Sequence, residues 1–305
     1  MSNTIIINSI GQAHQAVGLV KPKHPLVSVV YVRDIKTVSD FRDVRVINNL
    51  YQIGLKSSNQ CGELRYGKNS YDYEEGTLVF TAPGQVTEFK GEVEVGNQDM
   101  EGWTLLFHPD LIRKSSLSDK INQYTFFSYD VTEALHLSDE ERRTIEELLD
   151  KIIKEYSQNL DRHSQHLIVS NIELLLDYCR RFYDRQFYTR TNLNSDIVSK
   201  FERLLKEYYR NDRAINSGLP NVTFCANELS LSASYLSDLL KKETGKTTHE
   251  HIHLFVVNKA KNILLNSSHP VSEIAYSLGF EYPQHFSNLF KSKTGFSPRD
   301  YRNMN

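Results

Sequence analysis

Short apolar runs separated by turn residues dominate the N-terminal part of the chain. They lie within residues 25–32, 44–53, 75–85 and 103–107. The third of these is a strand that runs into a Pro-Gly turn, and residues 64–69 also combine a strand signal with a turn signal. Val, Ile, Tyr and Phe recur within the runs and Gly, Pro and Asn lie between them, which is typical of short β-strands joined by tight turns. This pattern predicts a small β-barrel or jelly roll within residues 1–137.

From Ser138 onward the apolar positions follow a helical period instead. Ser138 and Glu141 form a capping box sequence, which predicts a helix start with acidic residues at its positive end. One apolar stripe follows at once, and a second has spacings of 4, 3, 4 and 3 and comprises Ile168, Ile172, Leu175, Cys179 and Phe182. The second stripe fits packing either on the β-domain or on a second subunit, and we favour the second subunit. Residues 138–187 are therefore predicted to be a dimerising helical pair, and the polar residues 188–195 a linker.

The C-terminal third of the chain contains an internal sequence repeat of two copies. Residues 236–247 align with residues 286–297 at an offset of 50, with Ser, Leu, Lys, Thr and Gly at the same places. Upstream, residues 226–229 align with residues 275–278 at an offset of 49, so the second copy has one extra residue in its turn. Each copy predicts a helix, a tight turn and a second helix.

Local signals support a helix-turn-helix in both copies, at residues 224–245 and 272–295. Ser232 is placed to cap the second helix of the first copy, and Pro283 is placed in the first turn of its counterpart. Gly279 suits a turn that requires a positive φ. The second helices turn leucine and phenylalanine inward, whereas their amide, carboxylate and lysine side chains face outward, where they can contact base edges and phosphates.

A longer motif in the second copy identifies a family. It reads Ile274-Ala275-x-x-Leu278-Gly279-Phe280, then Phe286-Ser287-x-x-Phe290-Lys291, then Gly295-x-Ser297-Pro298-x-x-Tyr301-Arg302. With this motif, residues 196–305 closely resemble the DNA-binding domain of the AraC-type transcription regulators, named for the arabinose regulator. The rest of the chain resembles that family only loosely.

The resemblance implies two helix-turn-helix modules joined by a long helix, here about residues 248–265, whose buried stripe is Val256, Val257, Ala260, Ile263 and Leu264. In the family, the two recognition helices enter successive major-groove turns of DNA. The base-reading positions are then Ser234, Asp238, Gln284, His285 and Asn288, and the phosphate-contacting positions are Ser232, Lys241, Lys242, Lys291 and Lys293. Some family members have Arg in place of Asp238 and Asn288. Asp can accept from a cytosine amino group and Asn can pair with adenine, so a preference for guanine does not carry over.

The N-terminal domain has a second, shorter resemblance. Gly76 and the turn Pro83-Gly84 look like the second half of a cupin motif, the usual fold of the regulatory domain in this family. A cupin metal site needs histidines that converge from neighbouring strands, whereas His14, His24 and His108 are scattered. We therefore predict no metal, no cofactor and no enzymatic reaction. Five aromatic residues either line an apolar ligand pocket or form core, namely Tyr51, Tyr66, Phe80, Trp103 and Phe107.

Histidines also cluster in the C-terminal domain. His249 and His253 would share a helical face at positions i and i+4, a usable pair of metal ligands. Two nitrogen atoms without a third ligand bind metal poorly. We therefore interpret this stretch as the start of a helix that is either exposed to solvent or close to a phosphate.

Composition and charge restrict the remaining choices. Hydrophobic residues make up 39% of the chain and charged residues 24%, as in ordinary globular proteins. From Asp196 onward there are 14 Lys and Arg residues against 11 Asp and Glu residues, a net charge of +3, whereas the preceding residues carry −5. No apolar run approaches the length of a membrane helix, and three widely spaced cysteines support neither a disulfide framework nor a zinc site.

The sequence thus predicts an α+β protein of 305 residues that acts as a cytoplasmic, sequence-specific transcription regulator. Its expected partners are double-stranded DNA, a second copy of the chain, a small-molecule effector and, if it activates transcription, RNA polymerase. Two alternatives stay open. The N-terminal domain could bind only protein partners, or the chain could be a cupin-type enzyme fused to a DNA-binding tail.

Overall fold

Two compact units make up the chain, residues 1–189 and residues 190–305. The computed structural model describes residues 4–36, 45–56, 76–88, 101–130 and 133–303. The predicted strand at 64–69 and the candidate pocket residue Tyr66 lie outside the described residues.

The N-terminal unit contains two β-sheets. Its strands are β1 (Thr4–Ile7), β2 (Val27–Tyr31), β3 (Arg45–Asn48), β4 (Tyr51–Lys56), β5 (Thr77–Thr81), β6 (Gln85–Glu88), β7 (Gly102–Phe107) and β8 (Leu135–His136). Its helices are α1 (Ile10–Ala16), α2 (Pro109–Ile112), α3 (Ser116–Lys120), α4 (Asp139–Ser157) and α5 (Ser164–Thr189).

Five strands form an antiparallel sheet in the order β2-β7-β4-β5-β8, and three form a second sheet in the order β1-β3-β6. Val30 and Leu106 of the larger sheet share an apolar cluster with Ile7 and Val46 of the smaller one, so the two sheets pack face to face. The described strands form these two packed sheets and not a single closed barrel. The combination with helices confirms the α+β class, and the cupin resemblance stays a prediction.

The apolar stretch at 44–53 divides between the two sheets. Strand β3 ends at Asn48, whose side-chain Oδ1 accepts a hydrogen bond from the Leu50 amide at 3.0 Å. This turn sends β4 into the larger sheet, between β7 and β5. The sequence pattern did not indicate the break because apolar residues lie on both sides of it.

Helix α4 begins with the predicted capping box, in which Ser138 and Glu141 cap each other. Helix α5 is fastened to the edge strand β8. The Gln186 side chain accepts from the His136 amide at 2.8 Å and donates to the Ala134 carbonyl at 3.1 Å. The Arg185 guanidinium donates to Glu141 at 2.6 Å and to the His136 carbonyl oxygen at 2.7 Å.

The apolar stripe that predicted a dimer interface is buried inside the unit. Ile168, Ile172, Leu175 and Cys179 are fully buried and Phe182 is 6% exposed. Helices α4 and α5 pack against each other, and α5 also contacts β8. The interpretation of these five residues as a seam between subunits was wrong, because a single chain already covers them.

The predicted pocket aromatics are likewise packed as core. The rings of Tyr51 and Phe107 stack with centroids 4.9 Å apart, and the Phe80 ring lies 4.5 Å from that of Phe126. Trp103 is 3% exposed. Of the two alternatives for these side chains, the described residues support the core.

The C-terminal unit is helical. It comprises α6 (Thr191–Arg210), α7 (Arg213–Ser217), α8 (Val222–Glu228), α9 (Ala233–Thr244), α10 (Thr248–Asn266), α11 (Val271–Ser277), α12 (Pro283–Thr294) and α13 (Pro298–Arg302). Residues 188–195, interpreted from the sequence as a linker, are helical except at Arg190, which separates α5 from α6. Across the described parts of both units, no helix combines the length and apolar character needed to cross a membrane.

Candidate nucleic-acid interface

The first helix-turn-helix consists of α8 and α9. Asn221 caps α8 by accepting from the Phe224 amide at 2.8 Å, and Ser232 caps α9 by accepting from the Tyr235 amide at 3.1 Å. Ser230 lies in the turn with a φ of 56°, in the left-handed region. Helix α9 ends at Gly245, also left-handed. The predicted cap at Ser232 is therefore present.

The second helix-turn-helix, α11 and α12, repeats this construction. Gly279 takes the turn position that Ser230 takes in the first copy, with a φ of 90°. Pro283 lies at the start of α12, as predicted, and Gly295 ends the helix in the left-handed conformation. The extra residue in this turn replaces the Ser232 cap with Glu281 and Tyr282, and the side chain of Tyr282 makes no capping hydrogen bond.

One hydrophobic core supports both modules. Leu236 and Leu240 of α9 and Phe286 and Phe290 of α12 are fully buried in the same cluster. The connecting helix α10 contributes its predicted stripe to this cluster: Val256, Val257, Ala260 and Leu264 are buried there, and Ile263 is partly buried. Because both second helices share a core, the unit holds their outward faces in a defined relation.

The end of the family motif secures this core. The Tyr301 ring meets the Phe290 ring edge-on with centroids 5.3 Å apart. The Arg302 guanidinium donates to the His269 carbonyl oxygen at 2.6 Å and so ties α13 to the connection between α10 and α11. These motif residues therefore have structural roles.

The outward face of α12 is open. All five of its predicted contact residues are exposed, namely Gln284, His285, Asn288, Lys291 and Lys293. They run from the first turn to the last turn of the helix, so amide and imidazole groups lie toward its N-terminus and ammonium groups toward its C-terminus. This is the distribution of a helix that contacts base edges with its first turns.

The face of α9 differs from that of α12. Lys241 and Lys242 are exposed, but Ser234 and Asp238 are only half-exposed. The Ser232 hydroxyl is engaged as the helix cap. The two copies, equivalent in sequence, thus present different amounts of polar surface.

The histidines at the start of α10 lie close together. The rings of His249 and His253 have centroids 6.3 Å apart, and His251 Nε2 lies 2.7 Å from the Thr244 hydroxyl. Burial lowers the pKa of His253, and the neighbouring His249 and Lys293 lower it further. Within the described residues, no three metal-binding side chains come together.

Sequence reasoning missed one exposed residue at this interface. Tyr282 precedes α12 and is 54% exposed, and its ring lies edge-on to that of His285 with centroids 5.4 Å apart. The helical periodicity indicates side chains that face outward on a helix, so it passes over a residue in the turn. The available signal was the one-residue difference between the copies.

Comparisons with known proteins agree with this geometry in the C-terminal region. Residues 225–304 match the family described as "Helix-turn-helix domain". The HTH-type transcriptional activator RhaS of Salmonella arizonae is 42% identical over 77 residues, which are 25% of this chain and 28% of that protein. The chain therefore spans less than a third of the length of the curated relatives that it matches.

Two solved structures are similar to this chain, one over its C-terminal third and one over most of its length. The C-terminal domain of AraT, a response regulator from Geobacillus stearothermophilus, is 27% identical with a TM-score of 0.32, over 36% of this chain and 85% of that one. ToxT from Vibrio cholerae is 14% identical with a TM-score of 0.31, over 92% of this chain and 98% of that one.

The family match covers the aligned residues of the tandem repeat, 226–297, and the motif that ends at Arg302. The C-terminal region of this chain is an AraC-type helix-turn-helix domain.

Proposed function

We propose that this chain is a sequence-specific DNA-binding transcription regulator. The observation that carries the proposal is the pair of helix-turn-helix modules on one core, with amides and lysines exposed along α12. Exposed amides can read adenine through paired hydrogen bonds, and lysines neutralise phosphates. In this proposal α12 enters the major groove and α9 enters the next one.

The assignment of roles follows from side-chain chemistry. Gln284, His285 and Asn288, with Ser234 and Asp238 on α9, read base edges. The residues that contact phosphates are Lys241, Lys242, Lys291 and Lys293, together with the Ser232 hydroxyl. Because RhaS is named as a transcriptional activator, we propose that this chain also contacts RNA polymerase.

We also propose that the regulator works as a homodimer. A net charge of +3 on residues 196–305 is small for a DNA-binding unit, and two linked units would bind two half-sites with greater combined affinity. The predicted seam on α5 is buried, but another side of that helix exposes Leu167 and Leu174 at 43% and 45%. These leucines are seven residues apart and so lie on one face, which makes them the candidate contact with a second copy.

An effector is proposed for the N-terminal unit. The buried indole nitrogen Nε1 of Trp103 has no hydrogen-bond partner among the described residues. A buried donor without an acceptor typically costs ~1–3 kcal/mol, which an acceptor atom on a bound ligand would recover. Trp103 is the only tryptophan of the chain, so its fluorescence is a direct readout when candidate metabolites are added. If no metabolite changes the fluorescence or the thermal stability, the alternative is favoured, in which the N-terminal unit binds only protein partners.

We propose that the protein acts in the cytoplasm, where a regulator of this kind meets DNA. The test of the main proposal is selection of binding sites from random duplex DNA by the full-length protein at near-physiological salt. We expect an enriched motif with two half-sites. Failure to enrich any sequence, with or without pooled metabolites, would overturn the proposal.

A further inference from the structure

An aromatic side chain stands at the N-terminal end of α12, where the first helix-turn-helix has a cap. Ser232 caps α9, whereas the corresponding place before α12 is taken by Tyr282, whose side chain caps nothing. Replacing a cap with another residue type costs helix stability. With Tyr282 at this place, the start of α12 lacks the stabilising hydrogen bond that a capping side chain would make.

The position of this ring is restricted. Pro283 follows directly at the first position of α12, and a proline holds the preceding residue in an extended conformation, here with φ of −124° and ψ of 122°. On its other side the ring contacts His285 edge-on. Tyr282 is thus held beside Gln284 and His285, the exposed side chains of the first turn.

From this placement we propose that Tyr282 reads a thymine in the major groove by packing its ring against the C5 methyl group. The proposal rests on the function proposed above, and it adds a residue that distinguishes bases by an apolar contact. Thymine is the base that presents a methyl group in the major groove, and apolar side chains recognise it there. A tyrosine ring supplies a large, rigid apolar surface with only two rotatable bonds.

A second tyrosine provides a matched control. Tyr276 on α11 is also 54% exposed. It lies on the first helix of the module, outside the turn that leads into α12. Tyr276 and Tyr282 are therefore alike in chemistry and exposure and differ in position, so replacing each with alanine separates a contact with DNA from a general effect of losing an exposed ring.

The experiment uses the full-length protein and the DNA site enriched from random sequence. Each thymine in that site is replaced in turn by deoxyuridine, which lacks only the methyl group, and the dissociation constant is measured. We expect the native protein to lose about threefold to fivefold in affinity at one thymine per half-site, the effect of one buried methyl group. Tyr282→Ala should abolish this sensitivity, whereas Tyr282→Phe and Tyr276→Ala should keep it.

Other results separate the two proposals. Suppose that a site is enriched but Tyr282→Ala still loses as much affinity as the native protein when thymine is replaced by deoxyuridine, or that the native protein loses none. Either result overturns the role of Tyr282 and leaves the proposed function intact. If Tyr282→Phe weakens binding to enriched and random DNA equally, the tyrosine hydroxyl contacts a phosphate. That result would also overturn the proposed thymine contact. If no sequence is enriched, the proposed function fails and this inference fails with it.

Discussion

Gly279 lies against the backbone of Gly218. A Cβ atom on Gly279 would be 2.7 Å from the carbonyl carbon of Gly218 and 2.8 Å from its oxygen. Both residues have a positive φ, 90° for Gly279 and 76° for Gly218. The turn of the second helix-turn-helix thus packs on the segment between α7 and α8, with no room for a side chain.

Gly279→Ala should therefore destabilise the C-terminal unit more than other glycine substitutions do. Gly245 and Gly295 share the left-handed φ, but a Cβ atom added to either would meet no other atom within 4 Å, so alanine there should cost roughly 1–2 kcal/mol for the backbone alone. At Gly279 the backbone clash should add a further roughly 1–3 kcal/mol. Urea denaturation followed by circular dichroism measures these costs, and Trp103 fluorescence reports on the N-terminal unit separately. Equal losses at all three glycines would contradict the close contact.

Ser230→Gly should stabilise the same unit. Ser230 is exposed and has a φ of 56° at the place that Gly279 takes in the second copy. Glycine removes the strain of the left-handed conformation, roughly 1–2 kcal/mol, but makes the unfolded chain more flexible, so the net gain should be about 0.5–1 kcal/mol. As a control, Ser292→Gly within α12 should destabilise the unit, because glycine disfavours a helix interior. A loss of stability in Ser230→Gly would show that the serine has another role.

Substitutions on the two faces of the interface should have different effects on DNA binding. Gln284→Ala and Asn288→Ala should each reduce discrimination at one base position by ~1–3 kcal/mol, whereas Lys241→Ala should weaken binding to all sequences alike and reduce its salt dependence. Ser292→Ala serves as the control, because Ser292 lies on the exposed surface of α12. The measurement is titration of enriched and random duplexes at several salt concentrations. Equal losses on both duplexes for all three variants would refute this assignment.

Two substitutions on α5 should separate folding from association. Ile172 is fully buried, so Ile172→Ala should cost ~2–5 kcal/mol of stability. Leu174→Glu replaces an exposed leucine and should leave the folded unit stable but convert the proposed dimer to a monomer. Light scattering after size exclusion gives the mass, and thermal unfolding gives the stability. A Leu174→Glu variant that keeps the native mass would exclude this face as the contact.

Thiol reactivity tests the burial of two cysteines. Cys179 and Cys225 are buried free thiols; burial raises the pKa of Cys225 to about 11 and also raises the pKa of Cys179. Since the thiolate is the reactive form and a raised pKa keeps the thiol protonated, both should react slowly at pH 8. The third cysteine of the chain, Cys61, is replaced so that it does not contribute to the signal. In the Cys61→Ser variant, a thiol reagent should detect no fast-reacting group in the native protein and two in denaturant. Fast reaction of one native thiol would contradict the burial.

Much of the candidate site was predictable from the sequence. The helices of each repeat copy, the cap at Ser232, Pro283 at the start of α12 and the exposed lysines depend on residues within about four positions of one another. Such local rules do not reveal how much of a predicted outward face is covered. Ser234 and Asp238 are half-exposed, whereas His285 on α12 is open. Tyr282 was missed because it lies in a turn.

The boundaries of the helix-turn-helix modules follow from the amino-acid sequence alone, because helix caps, apolar periodicity and glycine turns act over short distances along the chain. What covers each apolar face follows only from the folded arrangement of the chain. The stripe from Ile168 to Phe182 is periodic whether it packs on its own unit or on a second subunit, and the structure buries it within the unit. In the same way, apolar residues at 44–53 supply strands to two different sheets. The free energy of burial depends on which surfaces meet, and those surfaces come from residues far apart in the sequence.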